Sequence, residues 1–441
     1  MSEVVSLVVV GVGMRGLTYA RAAVAQGQTR IVAIAEPRAD ARAKAAAEFS
    51  IAPEHVYEDW QTLAAAGRLA DAAIIATQDA MHVEPVEALA ARGYHLLVEK
   101  PMAPTEDASV RIAEAAERAD VMLAVCHVLR YTAYTRALKA LLDTGRIGEI
   151  ASIEHLEPVG WWHQAHSFVR GNWRDSRVSS PMLLAKSCHD VDWLIHVMGR
   201  TPRRVSSFGS LLHFTPANKP PGAAANCVEC PEEVESRCPY SAKRIYRRFL
   251  DAEDVEGAED VEGAEDVENV EDGAGEHRWP LSVVTTDART HAELDEALRT
   301  SPYGACVYNG DNDVVDHQVI AMEFPGGATA SFTMTAFTAA AHRKTRIFGT
   351  RGSIEGDGVH LRVHDFLTDT IEEIDTAAGA DGSAAGGHGG GDDALVKAFI
   401  TALSTDDRSA ILSDARASLA SHQVVWAAEH ARESGTVVEL S

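Results

Sequence analysis

The sequence predicts an α/β fold: a doubly wound parallel sheet in the N-terminal part, then a second region built on a further sheet. Three observations predict it. Apolar runs of strand length (Val4 to Val10, Ile31 to Ala35, Ala72 to Ala76, Leu96 to Val98, Val121 to Val125) alternate with helical stretches. The first of these runs empties directly into Gly11-Val12-Gly13-Met14-Arg15-Gly16. From Val314 onward, strand-like segments follow one another across short turns instead. Continuous apolar runs suit strands buried on both faces, which is what helical crossovers in a parallel sheet produce.

At 441 residues the chain exceeds one ordinary core, so two domains are expected, 1–130 and 131–441. The formal charge of -25 argues against nucleic acid as a partner, because phosphate binding needs clustered Lys and Arg. About half of that charge is local, since residues 251–276 hold thirteen acidic side chains and no basic one. There the hexad Ala252-Glu253-Asp254-Val255-Glu256-Gly257 recurs from Ala258 and again, ending in Asn269, from Ala264, which reads as a disordered acidic insertion. No apolar run reaches membrane-spanning length and the N-terminus does not resemble a signal peptide. A cytoplasmic protein without a membrane partner is expected, and six cysteines without a disulfide-dense pattern agree with a reducing setting.

Taken in order, Val4 to Val10 is the first buried strand, and a helix is expected from about Leu17 to Ala25. Gly11 permits the tight turn, Gly13 lets backbone approach a pyrophosphate, and Gly16 allows close packing of the helix. Met14 and Arg15 fill the loop, whose helix N-terminus offers N–H groups to phosphate. Glu36 ends the second strand, twenty residues after Gly16, where it would accept hydrogen bonds from a ribose and favour NAD. Arg38 could instead welcome a 2′-phosphate, so NADP stays open. Thr77 falls at the carboxyl end of the third strand, beside the expected cofactor cleft. His82, just inside the next helix, reads as a packing or capping residue.

Leu96 to Val98 runs into Glu99-Lys100-Pro101. Strand carboxyl ends are where ligands bind in such sheets, and a lysine there can donate a proton or orient a substrate. The bland alternative is a solvated loop. Further on, Trp161, Trp162, His163, His166, Arg170, Trp173 and Arg174 form a stretch suited to a sugar. Indoles stack on C–H faces while His and Arg satisfy hydroxyls. A bulky loop at a domain interface would look the same. Ala185-Lys186-Ser187-Cys188-His189-Asp190-Val191-Asp192 leads into a helix. His189, with an ordinary pKa near 6.5, suits a general base for a hydroxyl proton, against the alternative of a cap or core histidine.

Cys227, Cys230 and Cys238 have a spacing that could hold structural zinc with Cys306 as fourth ligand, against free thiols or a disulfide. The loop Gly386 to Asp392, with His388 as a further substrate candidate, precedes a helix from Ala394 to Leu403. A long helix from Ser409 to Arg432 closes the chain.

Gly11-Val12-Gly13-Met14-Arg15-Gly16, Glu36, Val98-Glu99-Lys100-Pro101 and Cys188-His189-Asp190-Val191-Asp192 together resemble the glucose–fructose oxidoreductase, inositol dehydrogenase and rhizopine-catabolism (Gfo/Idh/MocA) family. The resemblance implies an N-terminal Rossmann domain and a C-terminal α+β domain with a large, mostly antiparallel sheet. It further implies homodimers or homotetramers, a cis Lys100–Pro101 bond, and Lys100 and His189 as catalytic residues. Lys100 and Glu99 would also border the nicotinamide cofactor. The implied activity is hydride transfer between NAD(P) and a hydroxyl carbon of a sugar, cyclitol or polyol. Alternatives are an NAD-dependent glycoside hydrolase working by transient oxidation, and a non-catalytic sensor of nucleotide or sugar. One departure stands out: relatives often carry an aspartate four residues before the histidine, where this chain has Ala185 followed by Lys186.

Overall fold

The structure, a computed structural model, describes residues 4–253, 279–376 and 388–440. The chain divides into two compact units. The first comprises Met1–Lys139, Cys188–Thr201 and Gly382–Trp426, and the second Ala140–Ser187, Pro202–Asp381 and Ala427–Ser441.

The first unit is built on six strands: β1 (Val5–Val10), β2 (Thr29–Ala35), β3 (Val56–Tyr57), β4 (Ala72–Ile75), β5 (His95–Val98) and β6 (Leu123–Val125). Their order is β3-β2-β1-β4-β5-β6, and every neighbouring pair is parallel. β1 explains the unbroken apolar run. Leu7 and Val9 join one core cluster while Val8 and Val10 join the other, so both faces need apolar side chains. Helix α1 (Met14–Ala25) starts three residues before the Leu17 read from sequence. Extended Gly13 serves as its N-cap, so the end of the glycine loop is already the first helical turn. Strand order reverses between β1 and β4, the switch point at which ligands bind beyond the carboxyl ends.

The remaining cover of this sheet includes α2 (Val83–Ala90), α3 (Glu106–Arg118), α5 (Gly391–Thr405) and α6 (Ala415–Ser434), and α4 (Cys188–Met198) belongs to the same unit. Leu395, Val396 and Phe399 of α5 pack with Leu7 and Val9, whereas Ala415 and Leu419 of α6 pack on the opposite face. The crossover helices alone leave apolar sheet surface uncovered. Burying it recruits distant chain, each fully buried Leu or Phe contributing roughly 1.5–3 kcal/mol. By its contacts the first unit is thus assembled from three separate segments of chain.

The second unit holds nine strands: β7 (Ile150–Pro158), β8 (Arg204–Ser210), β9 (His317–Glu323), β10 (Thr329–Thr335), β11 (Lys344–Gly349), β12 (Gly352–Gly356), β13 (His360–Asp365), β14 (Thr370–Asp375) and β15 (Val438–Glu439). The order is β14-β13-β12-β11-β7-β10-β9-β8-β15. Seven neighbouring pairs are antiparallel and one, β7 with β10, is parallel, matching the mostly antiparallel sheet expected. β9 alternates as a half-buried strand must, with Gln318, Ile320 and Met322 inward and Val319 and Ala321 outward. The sequence reading missed β3, β12 and β14. It also missed two helices, Ala242–Glu253 and His291–Thr300, although Thr290 and Glu293 form a capping box at the second. From residue 254 to 276 the acidic repeat lies outside the described residues, as does the His388 side chain.

Candidate active site

The glycine loop shows why its glycines are required. Gly11 has φ +89°, and a Cβ there would meet the Ala76 carbonyl oxygen at 2.6 Å. A Cβ on Gly16 would lie 2.0 Å from the Gly11 carbonyl oxygen. Around Gly13 the space is open, and a Cβ there would meet only the Arg38 guanidinium, at 3.8 Å. Backbone N–H groups of the first turn of α1 therefore face a cradle that a pyrophosphate fits. Glu36 is buried at the end of β2, where its Oε2 accepts from the Val12 N–H at 3.0 Å. Its Oε1 accepts from the Arg38 backbone at 3.0 Å and side chain at 2.7 Å. Burial alone would raise the Glu36 carboxyl, but the bonds from Arg38 and Val12 outweigh it and hold the group below its ordinary range. These residues fit a dinucleotide, which supplies a hydride acceptor at its nicotinamide when bound.

Arg15 takes a different path from the one its place in the loop suggests. Its Nε donates to Glu99 Oε1 at 2.7 Å, and its terminal nitrogen pairs with Asp392 and Tyr19. Tyr19 also donates to Glu99 at 3.1 Å. Burial would lower the Arg15 pKa, yet Asp392, Tyr19 and Glu99 more than reverse this and raise it. Glu99 in turn accepts from the Lys100 N–H. The loop, the end of β5 and the start of α5 are thereby tied by one buried charge network.

Lys100–Pro101 is a cis peptide, as the family resemblance implies. Three histidines surround this turn. His82, read from sequence as a packing residue, is fully buried and bridges the turn to the end of β4. Its Nδ1 lies 3.0 Å from the Pro101 carbonyl oxygen and 3.1 Å from that of Met102, and its Nε2 lies 3.0 Å from that of Thr77. His422 of α6 accepts from the Met102 N–H at 3.1 Å and bonds the Ser418 carbonyl at 2.7 Å. His127 stands edge-on between His422, 5.4 Å away by ring centroids, and His189, 5.8 Å away.

His189 occupies the first turn of α4 and is buried, and the Thr77 hydroxyl bonds the Met81 carbonyl. One turn on, Asp192 receives Arg130 in a two-pronged pair at 2.7 and 2.6 Å and the Ser421 hydroxyl at 2.9 Å. Burial alone would raise the Asp192 carboxyl, and His127, Arg130 and Ser421 instead bring it down. The Lys100 ammonium bears on the same nest. Burial depresses His127 to about 4, with Arg130 and Lys100 adding to the effect against Asp192. Burial pushes the Cys188 thiol up to about 12 despite Lys100. An ammonium, a buried histidine and a dinucleotide cradle thus belong to a single unit. His127 and His422 were not singled out, because lone histidines in apolar surroundings carry no sequence signal.

The candidate sugar-binding residues of the second unit have other surroundings. Trp162, His166 and Arg170 are buried, the last two in a π-helical turn, Gln164–Arg170. Arg170 donates to the carbonyls of Ala305 and Tyr240, each at 2.7 Å. His166 bonds the Tyr246 hydroxyl at 2.7 Å and stacks on Tyr303, and burial depresses it to about 3, with Arg170 adding to the effect. His163 packs against Trp162 and Trp279, and Trp173 is partly exposed. Lys186 pairs with buried Glu157 at 3.3 Å, where Arg343 also pairs at 2.8 Å. The zinc expectation is corrected. Cys227, Cys230, Cys238 and Cys306 are free, and among the described residues no three His, Cys, Asp or Glu side chains are placed to hold a metal. Cys227 faces the Arg170 guanidinium at 3.6 Å and the Ala305 carbonyl instead, and burial raises the thiols of Cys238 and Cys306.

Fold and loop together define a dinucleotide-binding protein of the oxidoreductase class. The chain belongs to the Gfo/Idh/MocA oxidoreductase family: residues 5–127 match its NAD-binding Rossmann fold and residues 139–440 its C-terminal alpha/beta domain. It is 25% identical to the putative oxidoreductase YteT of Bacillus subtilis over 374 residues, 81% of this chain and 78% of that protein. It is 29% identical to the 2,7-anhydro-N-acetylneuraminate hydratase of Escherichia coli over 34% of this chain and 39% of that one. The structure of levoglucosan dehydrogenase with NADH and levoglucosan superposes with a TM-score of 0.68 at 16% identity, covering 99% of each chain, a likeness of fold. No helix among the described residues is long and apolar enough to cross a membrane.

Proposed function

We propose that the protein is an NAD(P)-dependent dehydrogenase acting on a hydroxyl carbon of a sugar, cyclitol or related polyol. The observation that carries this reading is Lys100 at the carboxyl end of β5, beside a nest containing buried His189, in the unit that holds the glycine loop. Lys100 polarises the substrate oxygen, and His189 accepts the hydroxyl proton as the C–H bond breaks. A dinucleotide held by the glycine loop and Glu36 would take the departing hydrogen with its electron pair as hydride, leaving the substrate as a carbonyl compound. Glu99, fixed by Arg15 and Tyr19, holds the lysine backbone. Glu36 would accept from the ribose hydroxyls of NAD, and Arg38, already folded onto it, is the group an NADP phosphate would recruit. A panel of sugars and cyclitols with NAD and NADP in parallel tests the reading through absorbance of the reduced nicotinamide. Accumulation with at least one polyol is expected, and its absence across the panel removes the dehydrogenase.

A redox-neutral reaction is the second reading, favoured by Ala185 in place of the family's usual acid and by the likeness to a hydratase of an anhydro sugar. Its signature is substrate turnover on enzyme-bound NAD without net NADH. Self-association through the nine-stranded sheet accompanies either reading, since Phe208 and Val319 pair across β8 and β9 with 71% and 40% of their surface exposed. Light scattering checks it, a monomer at micromolar concentration being the contrary result.

A further inference from the structure

His127 is the buried titratable group that the proposed chemistry leaves unused. It follows β6 by two residues, is fully buried, and neither of its ring nitrogens makes a hydrogen bond among the described residues. Buried polar atoms are nearly always satisfied, so an imidazole left this way invites a functional explanation. Its neighbours supply one. The ring stands at 81° to that of His189 with centroids 5.8 Å apart, and its Nε2 lies 3.8 Å from Asp192 Oδ1. Asp192 cannot swing away, being fixed by Arg130 and Ser421. The groups facing His127 are Asp192 and His189 from α4, Arg130 from the turn Val128–Tyr131, Lys100 after β5 and His422 from α6.

We propose that His127 is a positioning residue for His189: its ring fixes the plane of the base and carries the influence of the Asp192 carboxylate to it, so that His189 takes up a proton more readily. The proposal rests on His189 being the proton acceptor. A neutral imidazole has one donor and one acceptor nitrogen, so a ring that donates toward Asp192 keeps a lone pair on its other side. The 3.8 Å separation from Asp192 is longer than a hydrogen bond. Such contacts often tighten only when substrate is bound. Lys100 and Arg130 oppose protonation of His127 itself, so the ring stays neutral and adds no charge to repel an imidazolium at His189.

The test uses full-length protein with labelled histidine, following the His189 ring signal by NMR as pH is varied, assigned by its loss in His189→Asn. His127→Phe keeps the ring's volume and removes both nitrogens. The His189 midpoint should fall by about one pH unit, a tenfold loss of proton affinity. The acid limb of kcat/KM should move down with it, while NAD affinity is unchanged and His127→Gln recovers part of the shift. Asp192→Asn should lower the midpoint in wild type and not in the His127→Phe background. An unmoved midpoint in folded His127→Phe overturns the proposal. Where that variant does not fold, an unmoved midpoint in both His127→Gln and Asp192→Asn overturns it equally. A shifted midpoint in a protein that oxidises no polyol keeps His127 in place and removes the dehydrogenase reading. Steady turnover with an unmoved midpoint does the reverse.

Discussion

The nest around Lys100 and the stretch from Trp161 to Arg174 are made of similar residue types and differ in where the fold puts them. In the first unit, Lys100 and the histidines gather at the carboxyl ends of parallel strands, the end at which such sheets bind ligands. In the second, Trp162, His166 and Arg170 sit inside a core with Tyr246, Phe249 and Leu281. There an arginine satisfies backbone carbonyls and a histidine caps a tyrosine. Residue type sets what a side chain can do, and its place in the fold sets which partners it meets.

Substitutions can break that contrast, beginning with the largest effect. Lys100→Met should lower kcat by about 10²–10⁴-fold, the usual worth of a positioned acid or base, with NAD affinity kept. Steady-state kinetics with calorimetric NAD titration checks this, and unchanged turnover would take Lys100 out of the chemistry. Gly16→Val should cut NAD affinity at least about tenfold, because β-carbon and carbonyl oxygen would collide at 2.0 Å and shift the loop. Arg170→Met, in the second unit, should leave NAD affinity alone and cost about 1–3 kcal/mol of stability by orphaning two buried carbonyls. Denaturant titration beside NAD binding separates those outcomes, and lost affinity without lost stability would erase the contrast between the regions.

The smallest effect concerns pH. His127 is depressed to about 4 and His166 and His422 to about 3, chiefly by burial, with Arg170 adding at His166. A histidine whose folded pKa lies below its unfolded value near 6.5 binds fewer protons when folded. The stability it contributes is therefore complete above about pH 6.5 and lost as pH falls toward 3–4. His166→Phe should flatten the dependence of unfolding free energy on pH by about one proton between pH 6 and 4.5. A slope equal to wild type would mean that His166 is protonated in the folded protein.

Much of the first unit was legible in the residues. The run Val4 to Val10, the glycine spacing and the acid at Glu36 each impose a local requirement: apolar burial, positive φ or close approach, and a strand-end acceptor. Those requirements stand in sequence order, so the loop, Lys100 and every strand but the two-residue β3 could be read. Arg15 could not, because a position in a phosphate loop says nothing of an Asp392 that lies 377 residues away. The same holds for His422, which meets Met102 across 320 residues, and for the segments that return to the first unit. The sequence by itself determined the fold class, the dinucleotide cradle and the Lys100 turn, since periodicity and glycine sterics act between neighbours. Tertiary structure alone decided that Arg15 braces Glu99, that the four cysteines form no metal site among the described residues, and that His127 stands beside both His189 and Asp192. Those outcomes depend on which distant side chains burial brings together, and no spacing along the chain encodes that.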